Sequence, residues 1–268
     1  MTKGKKFGMY LFLCIVSFIS VFPLYWMVCA ATNTSAEVVS GRLIPGTYFI
    51  ENFKNLMANQ NIGRALGNSF KYSIILTLIS LVVSSLAGYG FEIYHDKAKD
   101  TVMSIILLAM MVPFVATLIP LFQMISTAGW LNTTIGFILP TVSTPFLIMM
   151  FRQSARSFPH DIMEAARIDG LSELRIFFQM FIPTMRSTYA AAMTITFMNA
   201  WNSYLWPKVI MTNSDSQTMP MVVANLTQGY VTDYGMLMLA VLICTLPTAI
   251  VFFCLQNAFA EGITGAVK

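Results

Sequence analysis

The chain has 268 residues, of which 56% are hydrophobic and only 10% charged, with a net charge of +4 and a mean hydropathy of +0.68. A soluble domain carries about 25% charged residues, so this sequence holds too little charge to cover a water-facing surface, and its small, scattered positive excess gives no reason to expect a nucleic-acid partner. Cys14, Cys29, Cys244 and Cys254 all lie in apolar stretches without CxxC or metal-ligand spacing, which reads as packed thiols and not as a metal site.

Taken in chain order, Lys3, Lys5 and Lys6 precede an apolar run from Met9 to Thr32 that is too long for a signal-peptide core, so it is expected to stay as a first span. Six apolar segments follow one another at 9–31, 70–91, 101–125, 134–151, 187–209 and 235–255. Each approaches the ~20 residues that cross a hydrocarbon core as a helix, where backbone polar groups must be satisfied within the segment. The predicted fold is therefore all-α: one polytopic transmembrane domain over 1–268 with six helices. Pro23, Pro113, Pro120, Pro140, Pro145, Pro207 and Pro247 fall inside these segments and are expected to kink spans without dividing them.

Basic residues set the predicted orientation. With the N-terminus inside, Lys3, Lys5, Lys6, Lys97, Lys99, Arg152, Arg156, Arg167, Arg175, Arg186 and Lys268 are cytoplasmic, and the short outer loops 126–133 and 210–234 contain no Lys or Arg. This positive-inside pattern puts both termini in the cytoplasm. The first outer loop, 32–69, is long enough to fold locally, and 152–186 is the longest inner connection.

That inner connection contains SFPHDIMEAARIDGLSELRIFFQMFIP at 157–183. Pro159 suits a first helical turn, Asp161 and Glu164 suit the positive end of a helix, and Gly170 sits where a left-handed turn would end it. Ile162, Ala165, Ala166 and Asp169 are expected on one small, mostly apolar face. Ser172 can then cap a second helix running through Leu174, Ile176, Phe177 and Phe178 to Pro183. On these residues alone the segment is a helix–glycine–helix elbow, compatible with a loop that merely packs on its own bundle.

The spacing is more specific than that. Glu164-Ala165-Ala166, three residues, Gly170, nine residues and then Met180-Phe181-Ile182-Pro183 resembles the EAA loop of ABC importer permeases, with Met180 and Ile182 in place of the pattern's isoleucine and leucine. FMNAWNSYLWPKVIM at 197–211, the C-terminal LQNAFAEGITGAVK, GYGFEIY and LIPLFQMISTAGWLNT look like the carbohydrate-uptake branch, the shorter second permease of maltose-type systems. The resemblance implies a type I ABC importer (MetI-like) permease core. It implies that Glu164, Ala165, Ala166, Asp169, Gly170 and Pro183 form an ATPase-coupling joint, with ATP and Mg bound by the partner and no cofactor in this chain. It also implies a second homologous permease, two ATPase subunits, a periplasmic or surface-anchored solute-binding protein, a sugar substrate and a bacterial cell membrane.

The fifth segment is the richest in polar and aromatic residues. A helical wheel puts Phe197, Trp201 and Tyr204 on one face and Asn199, Asn202 and Trp206 roughly opposite. Aromatic faces and amides together suit a sugar, so Asn199, Trp201, Asn202 and Tyr204 are candidates for a substrate pathway; the competing reading is interfacial anchoring and interhelix packing. A glycerol phosphate permease and an ion-coupled carrier are the alternatives. The second is disfavoured because no Asp, Glu or His lies inside the six segments, Glu92 standing at the edge of the second. No HExxH or GxSxG motif suggests catalysis or a metal, and without a GxxxxGK[ST] phosphate loop the energy for active transport would have to come from a separate ATPase.

Overall fold

Backbone amides that meet no water must bond within their own segment, and every regular element of the described residues is a helix. The structure is a computed structural model; it describes residues 3–229 and 231–265, with side chains described through Gln256 apart from that of Lys3. The chain falls into two compact units, one of residues 1–64 with 219–247 and the other of residues 65–218 with 248–268, the boundaries lying within helices α4 and α15 given below.

The first unit begins with α1, Lys3–Ala31, apolar on all sides and exposed along most of its length. The predicted outer loop folds into α2, Ser35–Val39, and α3, Phe49–Asn59. Thr34 and Glu37 form a reciprocal capping box at α2. Two buried amides hold this region together. Asn33 donates to the carbonyls of Cys29 and Ile44 at 3.0 Å each, and Asn52 donates to those of Ala31 and Asn33 at 3.0 and 2.9 Å. Gly235, at the start of α15, fits only as glycine, since a Cβ there would stand 2.8 Å from the Asn52 amide nitrogen.

The second unit is built on α4, Ile62–Ile93, which starts eight residues before the predicted span. It continues with α5, Lys97–Ala109; α6, Phe114–Thr127; α7, Thr134–Ile138, with a 3-10 turn at Leu139–Thr141; and α8, Pro145–Ala155. After α9, His160–Ile168, come α10, Glu173–Ile176, a π-helical stretch at Phe177–Phe181, α11, Ile182–Thr184, α12, Arg186–Trp201, and α13, Leu205–Ile210. Helix α14, Met219–Asn225, and α15, Tyr234–Gly265, close the chain.

Three helices are long and apolar enough to cross a membrane singly, within Gly4–Ala31, Ile62–Ile93 and Tyr234–Gln256. Pro23, Pro120 and Pro247 stay inside continuous helices, but the expectation that no proline divides a span fails at three places. The third segment bends by 97° between α5 and α6, where Pro113 is extended and begins a new helix. The fourth bends by 56° before α8, because the residue preceding Pro145, Thr144, is pushed out of the helical region (φ −102°, ψ 139°). The fifth stops at Trp201 and resumes at Leu205. Pro207 offers no N–H to the carbonyl of Ser203, and its ring would clash there in a continuous helix.

Candidate functional site

The elbow forms from the residues that the spacing singled out, with different details. Helix α9 starts at His160, so Pro159 caps it from outside the first turn. It ends in a Schellman turn: Gly170 has φ +80°, its N–H bonds the Arg167 carbonyl at 3.1 Å, and the Leu171 N–H reaches back to Ala166 at 3.0 Å. Ser172 precedes α10 in extended conformation but makes no side-chain cap. The expected single second helix is instead α10, the π stretch and α11. A helix running regularly into Pro183 would press its ring on the carbonyl four residues back; the wider turn, in which the Ile182 N–H bonds Phe177, sits directly before it.

The elbow has two unlike faces. Inward, Met163, Ala166, Ile176, Phe177 and Phe181 are buried with Phe158, Ala155 of α8 and Tyr89 of α4. Ring centroids of Tyr89 lie 5.3 Å from Phe177 and 4.9 Å from Phe181, within the range of favourable aromatic pairs. Outward, Ala165 is exposed together with Ile168, Leu174 and Phe178, the last three at 86, 63 and 52%. The expectation of one face shared by Ile162, Ala165, Ala166 and Asp169 therefore needs correction: Ala166 is 1% exposed and belongs to the inner core, whereas Glu164, Ala165, Asp169, Gly170 and Pro183 are exposed. At 100° per residue, adjacent positions cannot share a face once one of them is the packing contact.

Polar ties fix the elbow to its supports. Arg167 donates to Glu173 at 2.7 Å, joining α9 to α10. The Arg167 guanidinium, followed by the Tyr94 hydroxyl, holds the Glu173 carboxyl below the usual carboxylate range, while burial pushes the Tyr94 phenol up. At the root, Arg152 is buried and donates to Glu92 at 3.1 Å and to Asp100, which His95 also contacts at 2.8 Å. Ser154 and Thr188 bond at 2.9 Å between α8 and α12. Helices α4 and α8 touch at Gly88, where a Cβ would lie 2.6 Å from both the Arg152 amide nitrogen and the Phe151 Cβ. Sequence reading used Arg152 only as a topological charge. Glu92 at a span's edge was the available signal that a buried partner existed.

The four pathway candidates do not assemble as a set. Trp201 is buried, with its ring 4.8 Å from Phe70 and 5.8 Å from Phe197. Asn202 and Tyr204 lie in the break after α12 and are exposed. Asn199 alone lines a pocket of ≈ 180 Å³, with Thr141, Thr144, Phe146, Thr196 and Trp206 among its neighbours. Trp206 is no interfacial anchor: it is buried and donates its indole N–H to the carbonyls of Gly136 and Phe137 at 3.2 and 3.3 Å. Asn132, which sequence reasoning passed over, adopts φ 59° and ties its turn to 212–216, accepting from the Asn213 N–H at 3.0 Å and the Ser216 hydroxyl at 2.8 Å. Among the described residues no group of His, Cys, Asp and Glu is arranged to hold a metal ion.

Comparison with known proteins places these features in context. Residues 80–265 match the family described as binding-protein-dependent transport system inner membrane component. The lactose transport system permease protein LacG of Rhizobium radiobacter is 42% identical over 259 residues, covering 97% of this chain and 95% of the relative. The arabinooligosaccharides transport system permease protein AraQ of Halalkalibacterium halodurans is 33% identical, covering 94 and 93%. A chain of a bacterial ABC transporter involved in import of the acidic polysaccharide alginate superposes with a TM-score of 0.83 at 19% identity, over 97% of this chain and 99% of that one, a likeness of fold.

Proposed function

The chain belongs to the binding-protein-dependent transport system inner membrane component family, and from that premise we propose that it is a permease subunit of an ATP-driven importer carrying a sugar or oligosaccharide. The sugar class is supported by relatives named for lactose and arabinooligosaccharide transport that align over nearly the whole chain. A separate ATPase supplies the energy, because this chain has no phosphate-binding loop. A solute-binding protein delivers the sugar, a second permease completes the path, and both termini face the cytoplasm.

One observation carries the mechanical part: the elbow is anchored on its inner side and leaves apolar side chains bare on its outer side. Ile168, Leu174 and Phe178 in the open would cost apolar surface in water, and a groove on the ATPase covers them. Gly170 fixes the angle at which the two arms enter that groove, and Glu164, Ala165, Asp169 and Pro183 border it. Closure of the ATPase pair on ATP then drives the helices between alternating arrangements. The test is Ile168→Glu in the assembled transporter. The side chain is 86% exposed, so the chain should insert and melt normally. ATPase co-purification and sugar uptake should fall together, and their retention at parental levels would remove the elbow from the joint.

A further inference from the structure

Where α1 ends, the chain carries a surface that the transport reading does not use. Helix α3 has three unlike sides. Asn52 and Leu56 are buried, Glu51, Lys54 and Ala58 are exposed, and between these sides Phe49, Ile50, Phe53 and Met57 form an apolar stripe ~100° wide. Leu43 and Ile44 in the preceding loop are bare as well, and all six side chains are 42–67% exposed. Exposed apolar surface on this scale marks either a protein partner or a membrane.

The backbone around the stripe decides between them. Asn52 donates to the carbonyls of Ala31, the last residue of α1, and of Asn33. Gly235, the second residue of α15, lies against both asparagines, where a Cβ would stand 2.5 Å from the Asn33 carbonyl oxygen. Helices α1 and α15 each hold a segment long and apolar enough to cross a bilayer, and one ends where the other begins. Helix α3 is thus fixed at the level where two spans leave the hydrocarbon. The loop before it reaches lower. Asn33 bridges the carbonyls of Cys29 and Ile44 at 3.0 Å each, and the Tyr25 hydroxyl donates to the Leu43 carbonyl at 2.9 Å. Tyr25 lies six residues before Ala31, ~9 Å back along the helix, and helical side chains lean further that way. Residues 43 and 44 therefore run beside the last turns of α1, not above its end. Leu24, Tyr25 and Val28 are exposed on that same stretch. The apolar surface of the loop continues that of a membrane span, at a depth closed to a water-soluble protein docking from above. Charge agrees: from 43 to 59 the only charged residues are Glu51 and Lys54, one of each sign, so apolar burial suffices without anionic headgroups.

We propose that residues 43–57 are an interfacial platform, with α3 seated among the lipid headgroups at the membrane surface where α1 ends, and its apolar stripe, Leu43 and Ile44 in contact with lipid. Through Asn52 the platform sets the height of α1 and α15 in the bilayer, whatever solute is carried. The experiment uses the assembled transporter in phosphatidylcholine vesicles, with the four native cysteines replaced by alanine and a nitroxide on one new cysteine at a time. A water-soluble nickel chelate is present on both sides of the bilayer. Collision with the chelate should be lost at Ile50→Cys and Phe53→Cys, with oxygen collision kept, and should persist at Glu51→Cys and Lys54→Cys. Leu43→Cys, outside the helix, should behave as Ile50→Cys does, and adding phosphatidylglycerol should change nothing. Chelate access at 43, 50 and 53 equal to that at 51 and 54 overturns the platform. A pattern that appears only with phosphatidylglycerol overturns the apolar attachment. Loss of both oxygen and chelate at 50 and 53 shows that the partner permease covers the stripe. Chelate access lost only when the solute-binding protein is added makes it a protein-docking face. Either of these last results overturns the lipid assignment and leaves the transport reading intact.

Discussion

Gly170 separates the turn's shape from the space around it. Its φ of +80° lies in the left-handed region, where a Cβ approaches the following carbonyl and costs ~1–2 kcal/mol. Apart from Gly170 and its two chain neighbours, no atom of the described residues lies within 4 Å of that hypothetical Cβ, so alanine meets only the backbone cost here. Asparagine tolerates the same conformation better, by bonding locally, yet projects further into the open space. Purified Gly170→Ala should therefore lose ~1–2 kcal/mol of local stability at the elbow, read as faster amide exchange over 166–171, while Gly170→Asn should lose less. In the assembled transporter the order reverses if an ATPase occupies that space: Gly170→Asn should impair co-purification and coupled uptake more than Gly170→Ala. Full coupling in Gly170→Asn would show that nothing approaches this corner. Exchange unchanged in Gly170→Ala would show that the left-handed turn is not what holds the elbow.

Two further outcomes follow from the supports. Gly88→Ala forces a Cβ to 2.6 Å from backbone and side chain of α8, and such overpacking costs ~1–3 kcal/mol, so the melting temperature of the purified chain should drop although the change adds one methyl group. The Arg167–Glu173 tie should weaken in acid. The Glu173 carboxyl is held below its ordinary value of 4.5, so its stabilisation is complete above that value and is lost as pH falls through the lowered one. The pair is about 40% exposed, which limits the effect to ~0–1 kcal/mol; amide protection factors across 167–173, each taken relative to the intrinsic rate at that pH, should fall below pH 4.5 in the parent and be less pH-dependent in Glu173→Gln.

Much of this was legible in the sequence because it rests on local rules. A run of apolar residues near span length, an EAA spacing and a glycine where a helix must turn are each readable without knowing the neighbours. What remained hidden depends on contacts between distant segments. The inward position of Ala166 follows from Tyr89 and Ala155, seventy-seven and eleven residues away in sequence, and not from its own helix. The breaks at Pro113, Pro145 and Asn202–Tyr204 were written in the sequence, but whether a proline kinks or divides a span depends on whether surrounding groups take up the freed backbone. Pro247 and Pro120 stay within helices that Pro145 does not join.

The elbow and the pocket occupy different stretches of the same three helices. Tyr89 of α4, Ala155 of α8 and Tyr189 of α12 pack at the elbow, while Leu76, Leu147 and Asn199 of those helices line the pocket. Along α4 the two sites are thirteen residues apart, or ~20 Å at 1.5 Å per residue. Each connecting segment is unbroken helix, and the α8–α12 pair is cross-bonded at its elbow end by Ser154 and Thr188. The interruptions in α8's approach and after α12 come only at the pocket itself. A displacement of the elbow thus meets stiff rods first and soft joints last, so the deformation concentrates where the pocket wall is made of two chain breaks. Had Pro145 stood eight residues later, near the elbow, the same force would be absorbed before reaching the pocket.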